Sequence, residues 1–155
     1  DDTAAKYLNF AGANSGFIVT PASGASTVKS FTITTANDAV ERDPLSYALY
    51  GTNSPITSPN NSFGTSEPWT LISSGALALP ADRDTLGPVV AVNNNVGYTS
   101  YKMLFPTIVG PSNLMQIGEA SFYSSSDGSG TCSSRGSPAA STSWPTALSG
   151  RASGT

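Results

Sequence analysis

Residues 28–53, VKSFTITTANDAVERDPLSYALYGTN, decide how the rest of the chain is read. Phe31, Ile33 and Thr35 alternate with Thr32 and Thr34, the period of two of a strand whose successive side chains point to opposite faces. Tyr47 and Leu49 alternate with Ala48 and Tyr50 in the same way, and Gly51-Thr52-Asn53 closes that run with turn residues. Between the two strands lies NDAVERDP, residues 37–44, which places Asp38, Glu41, Arg42 and Asp43 together in a chain that is only 11% charged. A strand pair joined by a charged loop is therefore the unit to look for elsewhere.

Outward from this pair the pattern repeats. Residues 6–10 and 16–20 read as two short strands around the turn Asn14-Ser15-Gly16, the second ended by Pro21. Residues 54–68 form a long Pro-, Asn- and Ser-rich insertion with a glycosylation sequon at Asn60-Asn61-Ser62. Residues 69–79 restart the alternation, with Trp69 as a core residue and a kink at Ser74-Gly75; residues 89–92 form a short strand before Asn93-Asn94-Asn95. Tyr101, Met103 and Phe105 share one strand face, and residues 114–123 supply the last strand. No window carries a helical period, so at most a helical turn sits in a loop. About eight strands with turn signals between them predict an all-β, antiparallel eight-stranded sandwich, or jelly roll. It should occupy residues 1–123, followed by a Ser/Thr/Gly-rich tail at 124–155 in which Trp144 and Leu148 are the sizeable apolar anchors.

Composition narrows the function. A net charge of −3 with few basic residues does not suit nucleic acid, which requires a basic stripe to neutralise phosphates. No apolar run reaches the roughly eighteen residues of a membrane span, and the first residues carry no basic-then-apolar leader pattern. The polar but weakly charged composition is that of extracellular or cell-surface domains. Cys132 has no second cysteine in the sequence to pair with and reads as a free thiol, with a bridge to another chain as the alternative. The sequence has no histidine, which removes imidazole bases, His-based metal sites and Ser-His-Asp triads. Carboxylate-only catalysis stays formally open through Asp38, Glu41, Asp43, Asp82, Asp84 and Glu119, but these acids sit on loops with no recognisable site motif, so the chain reads as non-catalytic.

The succession KYLNF, GFIVTP, STVKSFTITTANDAVERDPLSYALYGTN, WTLIS, YTSYKMLFP and LMQIGEASFY resembles the galactose-binding-domain-like sandwiches, the discoidin or coagulation-factor C-type superfamily, in its bacterial secreted branch. The resemblance implies a non-catalytic jelly roll that binds glycans, lipids or proteins through loops at one end. It also implies no required cofactor beyond a structural calcium ion, for which Asp2, Asn9 and Glu119 fall at the matching positions. Relatives run one strand further upstream, so the resemblance further implies an edge strand preceding Asp1.

Two functions follow. The leading expectation is a self-associating structural subunit of a fibrillar or cell-surface assembly, in which an edge strand or the tail, through Trp144 and Leu148, engages another copy. The alternative is a carbohydrate-binding module that recognises extracellular glycans. Its sugar contacts would come from Asp38, Glu41, Arg42, Arg83 and Asp84, with Tyr98 as the exposed ring, because carboxylates and planar donors suit hydroxyls. Against that use, Arg42 could simply pair with a neighbouring carboxylate and fix its own loop.

Overall fold

In a computed structural model the described residues, 6–59, 63–130 and 132, form nine strands and one 3-10 turn. The strands are β1 Tyr7–Asn9, β2 Ser15–Val19, β3 Ser30–Thr34, β4 Ser46–Thr52, β5 Thr70–Ala76, β6 Val90–Ala91, β7 Ser100–Phe105, β8 Met115–Ile117 and β9 Glu119–Tyr123. They make a four-stranded sheet in the order β2-β7-β4-β5, a three-stranded sheet β6-β3-β9, and a short pair β1-β8. Every pairing is antiparallel. The chain is thus an all-β sandwich, and the helical turn, Val40–Arg42, lies within the charged loop between β3 and β4.

Alternation explains which faces meet. Phe17, Leu49, Tyr101, Met103 and Phe105 leave the inner face of the larger sheet, and Phe31, Ile33 and Ala120 leave that of the smaller; all are buried. Phe31 meets Tyr47 edge-on at 4.8 Å between ring centroids, and Phe122 stacks on Tyr101 at 6.1 Å. Aromatic pairs at such spacings add to the burial term that joins the two layers.

Several local expectations change. Residues 6–10 and 16–20 do not pair with each other; β1 takes β8 and β2 takes β7. The expected last strand is two, divided at Gly118, where a Cβ would come within 2.5 Å of the Thr35 carbonyl oxygen. The irregularity foreseen at Ser74-Gly75 lies instead between Leu49 and Tyr50, whose partners Ser73 and Leu71 leave Ile72 as the extra residue. The sandwich also continues past Tyr123. Ser30 Oγ donates to the Ser125 carbonyl (2.6 Å), and Cys132 is a free, half-buried thiol against the core, its pKa pushed up by burial to about 11.

Trp69 is half-buried rather than a core residue. Its indole Nε1 donates to the Gly64 carbonyl at 2.7 Å, and its ring covers the Lys102 ammonium at 4.8 Å, with Tyr50 at 4.8 Å as well. Lys102 also donates to Gly64 O (3.0 Å), so one buried cation pins loop 53–69 onto the outer face of the larger sheet. Burial lowers the Lys102 pKa, and Glu67 opposes that shift. Glu67 is the second pin, accepting from Thr57 N (2.6 Å), Ser58 N (2.7 Å) and Ser58 Oγ (2.6 Å).

These bonds, the Ser58 hydroxyl foremost, hold the Glu67 carboxyl at about 2, below its ordinary 4.5, against the upward push of burial. A carboxyl whose pKa is depressed by folding stabilises the folded state fully above its unfolded pKa. That contribution is lost as pH falls through the folded value. Melting temperatures of the unaltered protein should therefore fall between about pH 4.5 and 2, and Glu67→Gln should flatten that limb. An unchanged acid limb in the variant would show that Glu67 does not couple protonation to folding.

Candidate functional site

The strand directions sort the loops between two ends. Strand β3 ends at Thr34, β4 starts at Ser46 opposite the last residue of β5, Ala76, and β7 ends at Phe105. Segments 35–45, 77–89 and 106–114 therefore leave from the same end. Backbone bonds tie them together: Leu45 N to Thr107 O (2.9 Å), Val109 N to Asp43 O (3.0 Å), Gly110 N to Glu41 O (2.8 Å) and Thr35 N to Thr85 O (3.0 Å). Asp38, Glu41, Arg42, Arg83 and Asp84 all lie on this end.

Tyr98 does not. It pairs with Ser26 just before β7 begins, at the opposite end, and its ring is 9% exposed, edge-on to Tyr101 at 5.9 Å. The expectation of an exposed sugar platform there is wrong because Gly51 makes room for the ring; a Cβ on Gly51 would lie 2.4 Å from it.

Within the loop end the charges divide into structure and rim. Arg83 grips Asp43 as a fork, Nη1 to Oδ1 at 3.0 Å and Nη2 to Oδ2 at 2.6 Å. It also donates to the carbonyls of Asp38 (3.1 Å), Ala81 (3.2 Å) and Pro80 (3.4 Å). With these bonds the guanidinium has little left for a ligand, and Asp43 beside it holds the Arg83 pKa above its ordinary value. The pairing expected of Arg42 is thus made by Arg83. Arg42 itself is half-buried, and its Nε has no hydrogen-bond partner among the described residues.

Asp38 is the centre of the rim. It is exposed, pairs with Lys6 at 2.5 Å, and its carboxyl is held below the usual range by the Lys6 bond, with Gln116 and Arg42 adding to the effect. The fully buried Gln116 donates Nε2 to the carbonyls of Asp38 and Ala39, holding the turn from beneath. Ala39 itself takes a left-handed φ of 45°. Beside this turn opens a shallow cleft of about 280 Å³, walled by Val40, Leu45, Leu77, Leu79, Pro80 and Val109 with Asp43 at its edge; its lining contains no aromatic ring. Lys6 and Gln116 escape sequence reasoning because they lie 32 and 78 residues from Asp38. Gln116 alternates with apolar neighbours as any outward residue would.

The calcium expectation gains no ligand set here. Asn9 is buried on β1, its Oδ1 accepting from Ala11 N (2.9 Å) and its Nδ2 donating to Tyr7 Oη (2.9 Å), while Glu119 opposes Thr34 in a different sheet. No group of three or more Asp, Glu, His or Cys side chains suited to a metal ion occurs among the described residues. Asp2, the sequon residue Asn60, Trp144 and Leu148 lie outside the described residues.

Two layers of antiparallel strands joined by loop clusters at their ends define an antiparallel β-sandwich. Solved structures share this fold. CBM32-3 from a family 31 glycoside hydrolase of Clostridium perfringens matches with a TM-score of 0.58 at 12% identity, over 80% of this chain and 78% of that one. The family 32 carbohydrate-binding module of C. perfringens NanJ, solved with galactose, matches with a TM-score of 0.52 at 15% identity, over 78% and 77%. CpGH89CBM32-5 from the same organism, solved with GalNAc-β-1,3-galactose, aligns at a TM-score of 0.45 and 17% identity over 64% of this chain, which spans 58% of that one. No family model and no curated protein matches the chain.

Proposed function

We propose that the chain is a non-catalytic, extracellular carbohydrate-binding module whose recognition surface is the loop end formed by residues 35–45, 77–89 and 106–114. The observation that carries this reading is the rim of Lys6, Asp38 and Arg42 beside an apolar cleft. Hydroxyls require donors and acceptors in alternation, and the apolar face of a pyranose requires a dry wall; both are close together here. The fold shared with carbohydrate-binding modules points the same way, whereas the self-assembly expectation draws no support from those comparisons.

On this reading Asp38 accepts from sugar hydroxyls while Lys6 keeps it ionised. Asp38→Ala should weaken binding of galactose-terminated oligosaccharides by about tenfold or more, since a hydrogen bond to a charged group contributes about 1.5–3 kcal/mol. The melting temperature should change little, the Lys6 pair being half-exposed. Calorimetric titration checks both, and affinity equal to that of the unaltered protein would remove Asp38 from the site.

A further inference from the structure

The cleft beside the charged turn is defined by what its walls withhold from a ligand. Val40, Leu45 and Val109 line it as exposed aliphatic side chains, at 41%, 44% and 46%. Asp43 is its one lining residue with a polar side chain, and that carboxylate is closed off: both oxygens accept from Arg83, and the side chain is 3% exposed. Much of the wall backbone is engaged as well. Asp43 N–H donates to the Val40 carbonyl (3.0 Å), Leu45 N–H to Thr107 (2.9 Å), Leu77 N–H to Leu45 (2.8 Å) and Val109 N–H to Asp43 (3.0 Å), while the Pro80 and Ala81 carbonyls accept from Arg83. A group entering this cleft therefore leaves water for aliphatic surface and meets no free side-chain donor or acceptor.

We propose that the cleft takes the C5 methyl group of a 6-deoxyhexose, while the Lys6 and Asp38 rim reads hydroxyls of the same ring. Selection comes from what each substituent loses on entry. A hydroxymethyl group would leave its hydroxyl stripped of water with no replacement partner, whereas a methyl group only exchanges water for the aliphatic wall. An acetamido methyl fits less well, because its adjoining carbonyl and N–H are drawn towards the same wall. Stacking of a ring face is not on offer, since the lining contains no aromatic ring. A charged substituent has no counterpart either, because the one lining charge is already paired with Arg83. This inference rests on the glycan-binding reading of the same loop end and adds the class of sugar that the cleft selects.

The probes are sugar pairs that differ only at C6: galactose against 6-deoxygalactose in both the D and the L series, and L-mannose against L-rhamnose, with N-acetylgalactosamine as a further arm. Amide shifts of the 15N-labelled protein follow each titration and read weak affinities. In the pair that binds best, the 6-deoxy sugar should bind at least about tenfold more tightly than its 6-hydroxy partner. The double variant Val40→Thr, Val109→Thr keeps side-chain shape but puts two hydroxyls into the lining, and should narrow that preference to about threefold or less. Both positions are exposed, and a melting curve verifies that the variant is folded; the preference of the unaltered protein requires no variant. Equal or weaker binding of the 6-deoxy member overturns the inference, as does tighter binding of N-acetylgalactosamine than of any 6-deoxy sugar. A preference that survives in the double variant overturns it too, because the methyl group would then lie elsewhere. In each of these cases the glycan-binding reading stands, whereas failure of every sugar to bind would defeat that reading and this inference with it.

Discussion

Replacing Arg83 by alanine is expected to cost about 3 kcal/mol of folding stability, the low end of the range for breaking a buried ion pair. The reason is the partner left behind. The Asp43 side chain is 3% exposed, whereas that of Arg83 retains 21%, so water can reach part of the guanidinium but almost none of the carboxylate. Removing Arg83 also frees carbonyls at Pro80, Ala81 and Asp38, which uncouples loop 77–89 from the charged turn. Arg83→Lys should recover only part of the loss, because a single ammonium cannot reproduce the two parallel bonds at 3.0 and 2.6 Å. Urea denaturation midpoints measure both variants. A loss below about 1 kcal/mol for the alanine variant would mean that the pair behaves as an ordinary surface salt bridge.

A comparable or larger loss is expected from the smallest change the larger sheet can suffer, Gly16→Ala. A Cβ at Gly16 would lie 1.8 Å from the Met103 carbonyl oxygen and 2.8 Å from the Leu104 Cα, both backbone atoms of the adjoining strand. A flexible side chain could turn aside; backbone cannot, so β2 must move away from β7 along a register that runs from Ser15–Phe105 to Val19–Tyr101. The Gly16 carbonyl also receives Tyr7 Oη at 2.7 Å and Asn9 Nδ2 at 3.3 Å, so the displacement spreads to β1. Overpacking typically costs about 1–3 kcal/mol and more when nothing can yield, so about 3 kcal/mol is expected here. Thermal melting of the variant checks it. A melting temperature within about 2 °C of the parent would show that the strands can part more easily than their packing implies.

The strands were legible because alternation is local. Phe31 and Ile33 on β3, and Tyr101, Met103 and Phe105 on β7, declare their inner face in five or six consecutive residues. Pairing was less legible, since nothing in residues 6–20 says that β1 seeks β8 rather than β2. The candidate site was half visible. Asp38 and Arg42 announce themselves in a weakly charged chain, but the partner of Asp43 lies 40 residues away and that of Asp38 lies 32 away, distances at which sequence carries no pairing signal. Tyr98 misleads for a physical reason, because a ring beside Gly97 suggests exposure while the cavity that takes it is made by Gly51 on another strand. Trp69 misleads in the opposite sense. Its alternation with Leu71 is real, yet the face it occupies is the outer one, which loop 53–69 and Lys102 partly cover.

The most direct test of the central claim is a nuclear magnetic resonance titration of the 15N-labelled protein with galactose-terminated oligosaccharides. If the loop end is the recognition surface, backbone amides of Asp38, Glu41, Arg42 and Asp84 should shift and saturate together. Amides around Ser26 and Tyr98, at the opposite end, should stay in place. Saturable shifts confined to that opposite end would contradict the account, as would a spectrum that no sugar changes.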